Sequence, residues 1–256
     1  MEAARHLQSA LSSQSIPTPS LAWLQDLAVT RPHPPPPLAS LLATARTRLL
    51  AADLTTPDLL DPQYASQHCL PPNLQQSGVA TREAKLRRDV VVQVLDMEDL
   101  TRSRWEQVEE MEAIARGEGT RGREVVRLPT TTAAAAADGG GDGEGDENQA
   151  AGGGQDRQQQ QRQEGGKNAT HKLVVQDCRG QKVYAIELKR VERIAVGRTF
   201  IGEKLLLKAG TTVARGVVML EPGQCVVLGG KVEAWHRAWA EGRLARLREA
   251  VGAKAR

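Results

Sequence analysis

Apolar residues in the N-terminal part of the chain recur every three or four positions, which is the spacing of amphipathic helices. One such run follows Ser20, a candidate N-cap. Its apolar face comprises Leu21, Leu24, Leu27 and Ala28. A second run follows a proline-rich segment, and its apolar positions are Leu38, Leu41, Leu42, Ala45 and Leu49. Thr56 and Pro57 are suited to begin a third helix. We therefore predict a small helical bundle over residues 1–75.

The pattern then changes to short runs rich in β-branched residues, which predict strands. The first is DVVVQVLDMEDL, from Asp89 to Leu100. Later runs are HKLVVQD, KVYAIEL, EKLLLK, TTVARGVVML and CVVL, most of them separated by turns that contain glycine. Five or six short antiparallel strands favour a small closed barrel over residues 86–252, with Gly216 permitting a bulge or corner within its strand. The expected fold class is α+β with mostly β content.

A long insertion, residues 101–170, separates the first two predicted strands. It begins with a helix whose capping box is Ser103 and Glu106 and whose stop signal is Gly117. The narrow apolar stripe of this helix consists of Trp105, Val108, Met111 and Ile114. The stripe could bind a partner or pack on its own barrel. Residues 130–168 are rich in Ala, Gly and Gln, and this composition predicts disorder.

The last predicted strand ends at Gly229 and Gly230, which allow a sharp turn into a helix over residues 231–251. One face of this helix carries Val232, Trp235 and Trp239. A second, rotated face carries Leu244, Leu247 and Val251. A kinked helix, or one that contacts two different surfaces, would explain the change of face.

Composition limits the chemistry that the chain can perform. The three cysteines lie far apart in the sequence and the histidines lack ligand spacing, so we expect neither disulfides nor a metal site. The glycines of GEGTRG follow a predicted helix rather than a strand, which excludes the dinucleotide-binding interpretation. Without a catalytic motif, we expect a protein that is not an enzyme and uses no cofactor or small-molecule substrate. Without a signal peptide or a long apolar run, we expect it to be soluble and intracellular, away from membranes.

Charge is distributed unevenly along the chain. Residues 171–256 hold 17 Lys and Arg against 8 Asp and Glu, whereas the whole chain has a net charge of only +3. The candidate contacts to nucleic acid are Lys189, Arg190, Arg193 and Arg198. These residues could equally form an exposed basic loop, and Tyr184 and Phe200 could stack on bases or lie in the core. A module that binds single-stranded nucleic acid is therefore the alternative function.

Three segments carry a resemblance to a known family. They are RTRLLAADLTTP, the run from VVVQVLDMEDL through SRWEQVEEMEAIARGEGTRGREVVRLP, and GVVMLEPGQCVVLGGKVEAWHRAW. Together they resemble the N-terminal domain of the RecQ-mediated genome instability protein 1 family, especially its filamentous-fungal members. The resemblance implies an OB-fold barrel preceded by a small helical bundle, in a nuclear accessory subunit without catalysis.

The same resemblance implies the partners. Members of the family bind topoisomerase III and, with it, a RecQ-family helicase, and the complex dissolves double Holliday junctions. The connection between the first two barrel strands projects into the topoisomerase gate and promotes decatenation. The contact residues implied here are Trp105, Val108, Met111, Ile114, Arg123, Val125, Val126 and Arg127. Direct contact with DNA is expected to be weak. A third interpretation is a scaffold that binds partners through Trp235 and Trp239.

Overall fold

A computed structural model describes residues 2–29, 37–72, 74, 82–116 and 169–252. The N-terminal part includes the helices α1 (Glu2–Ser12), α2 (Leu21–Val29), α3 (Leu38–Ala51) and α4 (Pro62–Gln67). Helices α2 and α3 lie where the apolar spacing predicted them. Helix α1 was not predicted, although its buried residues Ala4, Leu7 and Leu11 have the same spacing.

The third predicted helix begins later than expected. Asp58 has a φ of 59°, so the chain turns near Pro57 instead of continuing as a helix. Helix α4 starts at Pro62 behind Asp61, whose carboxylate accepts hydrogen bonds from the backbone N–H groups of Gln63 and Tyr64. The sequence contains this signal, a capping residue followed by proline, both at Thr56-Pro57 and at Asp61-Pro62. The helix begins at the second.

The remainder of the described chain forms one eight-stranded sheet and two further helices. The strands are β1 (Ala84–Lys85), β2 (Val90–Asp99), β3 (His171–Asp177), β4 (Lys182–Glu187), β5 (Lys204–Leu207), β6 (Thr212–Ala214), β7 (Val217–Leu220) and β8 (Cys225–Gly229). The helices are α5 (Arg104–Ala115), between β2 and β3, and α6 (Glu233–Ala250), after β8. The order of the strands in the sheet is β1-β6-β7-β4-β3-β2-β5-β8.

The connection between β7 and β8 requires this sheet to curl. These strands lie five positions apart in the sheet order, a distance of about 24 Å if the sheet were flat. Only five residue steps separate Leu220 from Cys225, and they span at most about 18 Å. The turn is tighter still, because the carbonyl of Glu221 accepts hydrogen bonds from the N–H groups of Gln224 and Cys225. The predicted barrel is confirmed as a strongly curved sheet.

Two details of the sheet differ from the prediction. The run TTVARGVVML forms two strands, because Arg215 and Gly216 have φ values of 48° and 79° and make a two-residue hairpin turn between β6 and β7. Strands β4 and β7 pair in parallel, whereas the other pairs in the sheet are antiparallel. Gly216 therefore makes a reversal of the chain and not a bulge.

The helical bundle joins the barrel through a polar contact in an otherwise apolar interface. Lys204 on β5 is completely buried, and its ammonium group donates to the carbonyls of Ala52 and Gly202, both at 2.6 Å. The side chain of Gln93 on β2 donates to Asp53 and accepts from the N–H of Leu54. The end of α3 is thus fixed to the neighbouring strands β2 and β5.

Lys204 gives the stability of the fold a predictable pH dependence. Burial lowers the pKa of Lys204 from 10.5 to about 8, although the nearby carboxylate of Asp53 acts to raise it. Between these two pH values the unfolded chain binds more protons than the folded chain, so the stabilising contribution rises with pH. Below pH 8 the penalty for burying the charge is fully present.

We expect the stability difference between wild type and Lys204→Met, measured by urea unfolding, to grow in favour of wild type from pH 8 to pH 10.5. It should stay nearly constant between about pH 5 and pH 6.5, where Lys204 is protonated in both the folded and the unfolded chain. Other groups that titrate in this range, such as the Cys225 thiol, are present in both proteins, so their contributions to stability cancel in the difference. Parallel pH profiles for the two proteins would contradict this account of Lys204.

Candidate partner-binding site at the insertion

The insertion leaves and re-enters the barrel at one place. Strands β2 and β3 pair along their length, and Asp99 at the end of β2 lies opposite His171 at the start of β3. One residue further out, the N–H of Leu100 donates to the carbonyl of Thr170 at 2.9 Å. The insertion therefore starts from two adjoining, hydrogen-bonded strand ends.

Helix α5 begins only a few residues beyond this point. The side chain of Ser103 accepts from the N–H of Glu106, and the carboxylate of Glu106 accepts from the N–H of Ser103, so the predicted capping box is confirmed. Arg104 and Lys172 both pair with Glu98 on β2. The hydrogen bond from Arg104, followed by that from Lys172, lowers the pKa of Glu98 despite its partial burial. The start of α5 is fixed to β2 by the pair with Glu98, and Lys172 on β3 holds the same carboxylate from the neighbouring strand.

The predicted apolar stripe of α5 is divided between the protein interior and solvent. Val108 is buried, with 3% of its surface exposed, and Met111 is half-buried. Trp105 and Ile114 remain 52% and 58% exposed. Packing on the chain itself therefore accounts for Val108, while Trp105 and Ile114 are available to a partner. A contact role for all four residues stays a prediction.

The C-terminal helix α6 holds α5 from the other side. Arg243 donates to the side-chain oxygen of Gln107 at 3.1 Å, and Arg248 donates to Glu112 from two nitrogens at 3.0 and 2.8 Å. Gln107 is itself buried and donates to the backbone carbonyls of Asp99 and Arg102. Sequence analysis missed Gln107, because a glutamine between charged residues gives no signal of burial.

Helix α6 contacts two surfaces. This is one of the two explanations that the sequence suggests for the change of apolar face along the helix. Trp235 and Trp239 pack against the core of the barrel, and the indole N–H of Trp239 donates to Asp96 at 2.6 Å. Further along, Arg243 and Arg248 contact α5. Helix α6 therefore bridges the barrel and the insertion helix α5.

The pair formed by Arg248 and Glu112 should stabilise the docking of α5 measurably but modestly. Both side chains are about one-third exposed, and partly solvated ion pairs contribute about 0.5–1 kcal/mol. We expect a double-mutant cycle with Arg248→Ala and Glu112→Ala to give a coupling of this size in urea unfolding. Amide hydrogen exchange in α5 should accelerate in each single variant.

Arg116→Ala is the matched control for this cycle. Arg116 lies 3.8 Å from the other carboxylate oxygen of Glu112, at the end of α5 itself, so its replacement removes an ion pair of Glu112 but leaves the pair with Arg248 in place. Exchange in α5 that responds to Arg116→Ala as strongly as to Arg248→Ala would show that α6 does not hold the helix.

A buried charge cluster supports the point where the insertion re-enters the barrel. Glu187 at the end of β4 accepts hydrogen bonds from the ring and the backbone N–H of His171, from Val191 N–H and from Arg190. Burial alone would raise the pKa of Glu187, but the hydrogen bonds from His171 and Val191, aided by Arg190, hold that pKa below its ordinary value. The cluster keeps the first residue of β3 in position.

The candidate nucleic-acid contacts do not all face solvent. Arg190 points inward and also donates to the carbonyls of Val191 and Ile194. Lys189 is exposed near Glu221, whereas exposed Arg193 and Arg198 each donate to a backbone carbonyl. Their function as phosphate contacts stays a prediction, with the geometry favouring Lys189, Arg193 and Arg198 over Arg190.

The sequence allows Tyr184 and Phe200 to be either stacking residues or core residues. They are 49% and 40% exposed, respectively, so neither belongs to the core. Phe200 contacts the ring of His236 edge-on at 5.2 Å and lies under the ammonium group of Lys231. Tyr184 stands on the outer face of β4.

Several predictions fall outside the described residues. They concern the contact residues Arg123, Val125, Val126 and Arg127, the stop signal at Gly117 and the predicted disorder of residues 130–168. Within the described ranges, no cluster of three or more His, Cys, Asp or Glu residues is arranged to hold a metal ion. None of the helices in those ranges combines the length and the apolar character needed to cross a membrane.

Comparison with known proteins agrees with this architecture. The family model described as RMI1, N-terminal OB-fold domain, matches residues 70–243, and the one described as RMI1, N-terminal helical domain, matches residues 11–57. A curated relative, RecQ-mediated genome instability protein 1 from Schizosaccharomyces pombe, is 37% identical over 73 residues. That match covers 28% of this chain and 30% of the relative, well under two-thirds of its length.

The OB-fold match covers the curled sheet, the helix inserted between its first two long strands and the start of α6. It includes more than half of the chain, and the helical match adds the bundle that precedes the barrel. The chain therefore belongs to the RMI1 family, with the N-terminal helical and OB-fold domains of that family.

Proposed function

We propose that this protein is a non-catalytic accessory subunit of a complex between a RecQ-family helicase and topoisomerase III, acting in the nucleus. Membership of the RMI1 family supports a role in genome stability associated with a RecQ helicase. The name of the S. pombe relative refers to the same connection. Promotion of decatenation and of double Holliday junction dissolution is the specific activity that we assign.

The observation that carries the proposal is the presentation of α5. This helix lies in the insertion between β2 and β3, and its contacts with Glu98 on β2 and with α6 hold it in place. Two large apolar side chains, Trp105 and Ile114, nevertheless remain more than half exposed on it. Interfaces take much of their affinity from a few such residues, with tryptophan prominent among them. Helix α5 thus has the chemistry of a pre-positioned anchor for a protein partner.

A mechanism of this kind needs no catalytic group in the accessory subunit. An insertion that binds the open topoisomerase gate more tightly than the closed gate shifts the equilibrium toward the open state. The size of the shift equals the difference between the two binding free energies. Fixing α5 before binding reduces the entropy lost on association and so leaves more of the contact energy available for this shift.

The alternative is an OB-fold module that binds single-stranded nucleic acid and acts without topoisomerase. The exposed cations Lys189, Arg193 and Arg198 are compatible with it. It gives no role to the exposed side chains of α5. The two functions make opposite predictions about which purified partner the chain retains.

Co-purification with topoisomerase III from the same organism tests the proposed function. We expect the two proteins to elute as one complex at moderate salt and the RecQ-family helicase to join that complex. Tight, strongly salt-dependent binding to single-stranded DNA without retention of topoisomerase would favour the alternative. Retention of neither partner would contradict both.

A further inference from the structure

We propose that a partly exposed row of three aromatic rings is a docking site for an acidic peptide segment of a partner protein. We call it the aromatic row. It consists of Phe200, in the connection between β4 and β5, and of His236 and Trp239 on α6. The row lies outside α5, the helix that we assign to topoisomerase, so the inference does not depend on that function.

The three rings of the row contact one another. The rings of Phe200 and His236 meet edge to face with their centroids 5.2 Å apart, and the rings of His236 and Trp239 stack at 6.2 Å. Phe200 is 40% exposed, and the other two rings are half-buried. With the cations at its ends, the row is about 20 Å long, a length that about six extended residues cover. The row therefore has the size of a site for a short peptide segment.

Contacts between the start of α6 and the connection before β5 fix the row in place. The N–H of Val232 donates to the carbonyl of Ile201 at 3.1 Å, and the N–H of Ile201 donates to the ring of His236 at 3.3 Å. Gly202 approaches Val232 so closely that a Cβ atom at this glycine would lie 2.5 Å from it. A surface that is rigid before binding loses little entropy on association, which favours its use as an interface.

Cations lie over the two outer rings of the row. The ammonium group of Lys231 is 5.2 Å from the centroid of Phe200. The guanidinium groups of Arg243 and Arg246 are 5.4 and 5.9 Å from the centroid of Trp239. These cations occupy positions in which a nucleic-acid base would stack. The row instead presents the cations and the ring edges, which carry the positive part of the aromatic quadrupole, and both attract carboxylates.

The two arginines at the Trp239 end form no ion pair with a carboxylate among the described residues. Arg243 and Arg246 donate their hydrogen bonds to uncharged oxygens. Burial lowers the pKa of Arg243, although the more distant carboxylates of Glu110 and Asp99 act to raise it. A half-buried cation without a close counter-ion is stabilised by an anion that approaches from outside. An acidic side chain of a partner would supply that anion.

Two acidic residues near the row already have partners. Glu233 pairs with Lys231 at 2.8 Å, and Asp96 accepts the indole N–H of Trp239 at 2.6 Å. Positive charge is thus balanced at the Phe200 end of the row and uncompensated at the Trp239 end. Acidic residues of the partner fit the Trp239 end, and an apolar residue fits the exposed ring of Phe200. The occupant that we infer is a short segment with both acidic and apolar side chains.

Fluorescence anisotropy of the full chain with a labelled synthetic peptide tests the proposal. The probe is a peptide of about ten residues, long enough to span the row, in which Asp and Glu alternate with Phe and Leu. We expect binding at about 50 mM salt that weakens at about 200 mM, and no binding of the same peptide with Lys in place of its acidic residues. Arg246→Glu should weaken binding at least about tenfold. Phe200→Ala should weaken it by about the same factor.

Arg88→Glu is the matched control for the charge reversal. Arg88 is exposed like Arg246 and also donates to an uncharged oxygen, but that oxygen belongs to Gln67 at the end of α4. The substitution changes the net charge by the same amount and should leave the affinity for the peptide unchanged. The proposal is overturned if wild type does not bind the acidic peptide, if Arg246→Glu binds it normally or if Arg88→Glu is equally weakened.

Two further measurements separate this site from the other functions. An oligothymidine that binds more tightly than the acidic peptide, and is also weakened by Arg246→Glu, would overturn the choice of a peptide. Normal retention of topoisomerase III by Arg246→Glu would support a separate site, and loss of retention would overturn that separation. A chain that binds the peptide through Arg246 but retains no topoisomerase would support the aromatic row and contradict the accessory role.

Discussion

Replacing Trp105 and Ile114 together by alanine should weaken binding to topoisomerase III about a hundredfold and leave the fold intact. Both side chains are more than half exposed, so their removal creates no cavity in the free protein. In the complex, the double variant would lose the burial of two large apolar side chains at the interface. Losses of this kind weaken interfaces most. Titration of the purified proteins gives the affinity, and urea unfolding checks that stability is unchanged.

Leu38→Ala is the control for this pair of changes. Leu38 is 49% exposed, but it lies on α3 in the helical bundle. Its replacement should alter neither affinity nor stability by a measurable amount. Wild-type affinity in the Trp105 and Ile114 double variant would show that α5 is not the anchor.

Gly230→Ala should destabilise the protein by about 3 kcal/mol or more. Gly230 has a φ of 93°, and a Cβ atom there would lie 2.2 Å from the carbonyl oxygen of Leu50 at the end of α3. Backbone atoms on both sides would have to separate, so the substitution should loosen the contact between bundle and barrel. The free energy of unfolding in urea measures the effect.

Gly229→Ala isolates the steric part of that effect. Gly229 has the same φ of 93°, but beyond its two chain neighbours no heavy atom lies within 4 Å of the position of its Cβ. Only the conformational penalty of about 1–2 kcal/mol should remain. Equal destabilisation by the two substitutions would mean that close contact with Leu50 does not constrain this junction.

Local patterns predicted the elements that depend on local chemistry. The capping box at Ser103 and Glu106 placed the start of α5, and runs rich in β-branched residues placed β2 and β3. The glycine pair before the last helix was recognised as a sharp turn, and both glycines have positive φ. In each case the physical cause acts between residues close in sequence.

Contacts between distant residues could not be inferred in the same way. Lys204 contacts Ala52, and Arg243 contacts Gln107, across 152 and 136 positions of the sequence. The burial of Val108 likewise depends on surroundings that its own helix does not supply. A lysine in a strand or a valine in an amphipathic helix has the same local pattern whether it is buried or exposed.

The hairpin at Arg215 and Gly216 is an intermediate case. The run TTVARGVVML is interpreted from its apolar content as one strand, and an arginine with a positive φ, as found at Arg215, is uncommon. The glycine suggested an irregularity but not a full reversal of the chain. Parallel pairing of β4 with β7 follows from this reversal and from the curl of the sheet, and both depend on the whole fold.

A reconstituted decatenation assay tests the central claim most directly. Topoisomerase III would be assayed alone, with the full chain, and with a chain in which residues 104–127 are replaced by a Gly/Ser linker of equal length. Our account predicts that the full chain stimulates decatenation and that the linker variant, although folded, does not. Stimulation by the linker variant equal to that of wild type would contradict the assignment of the insertion as the element that acts on the topoisomerase.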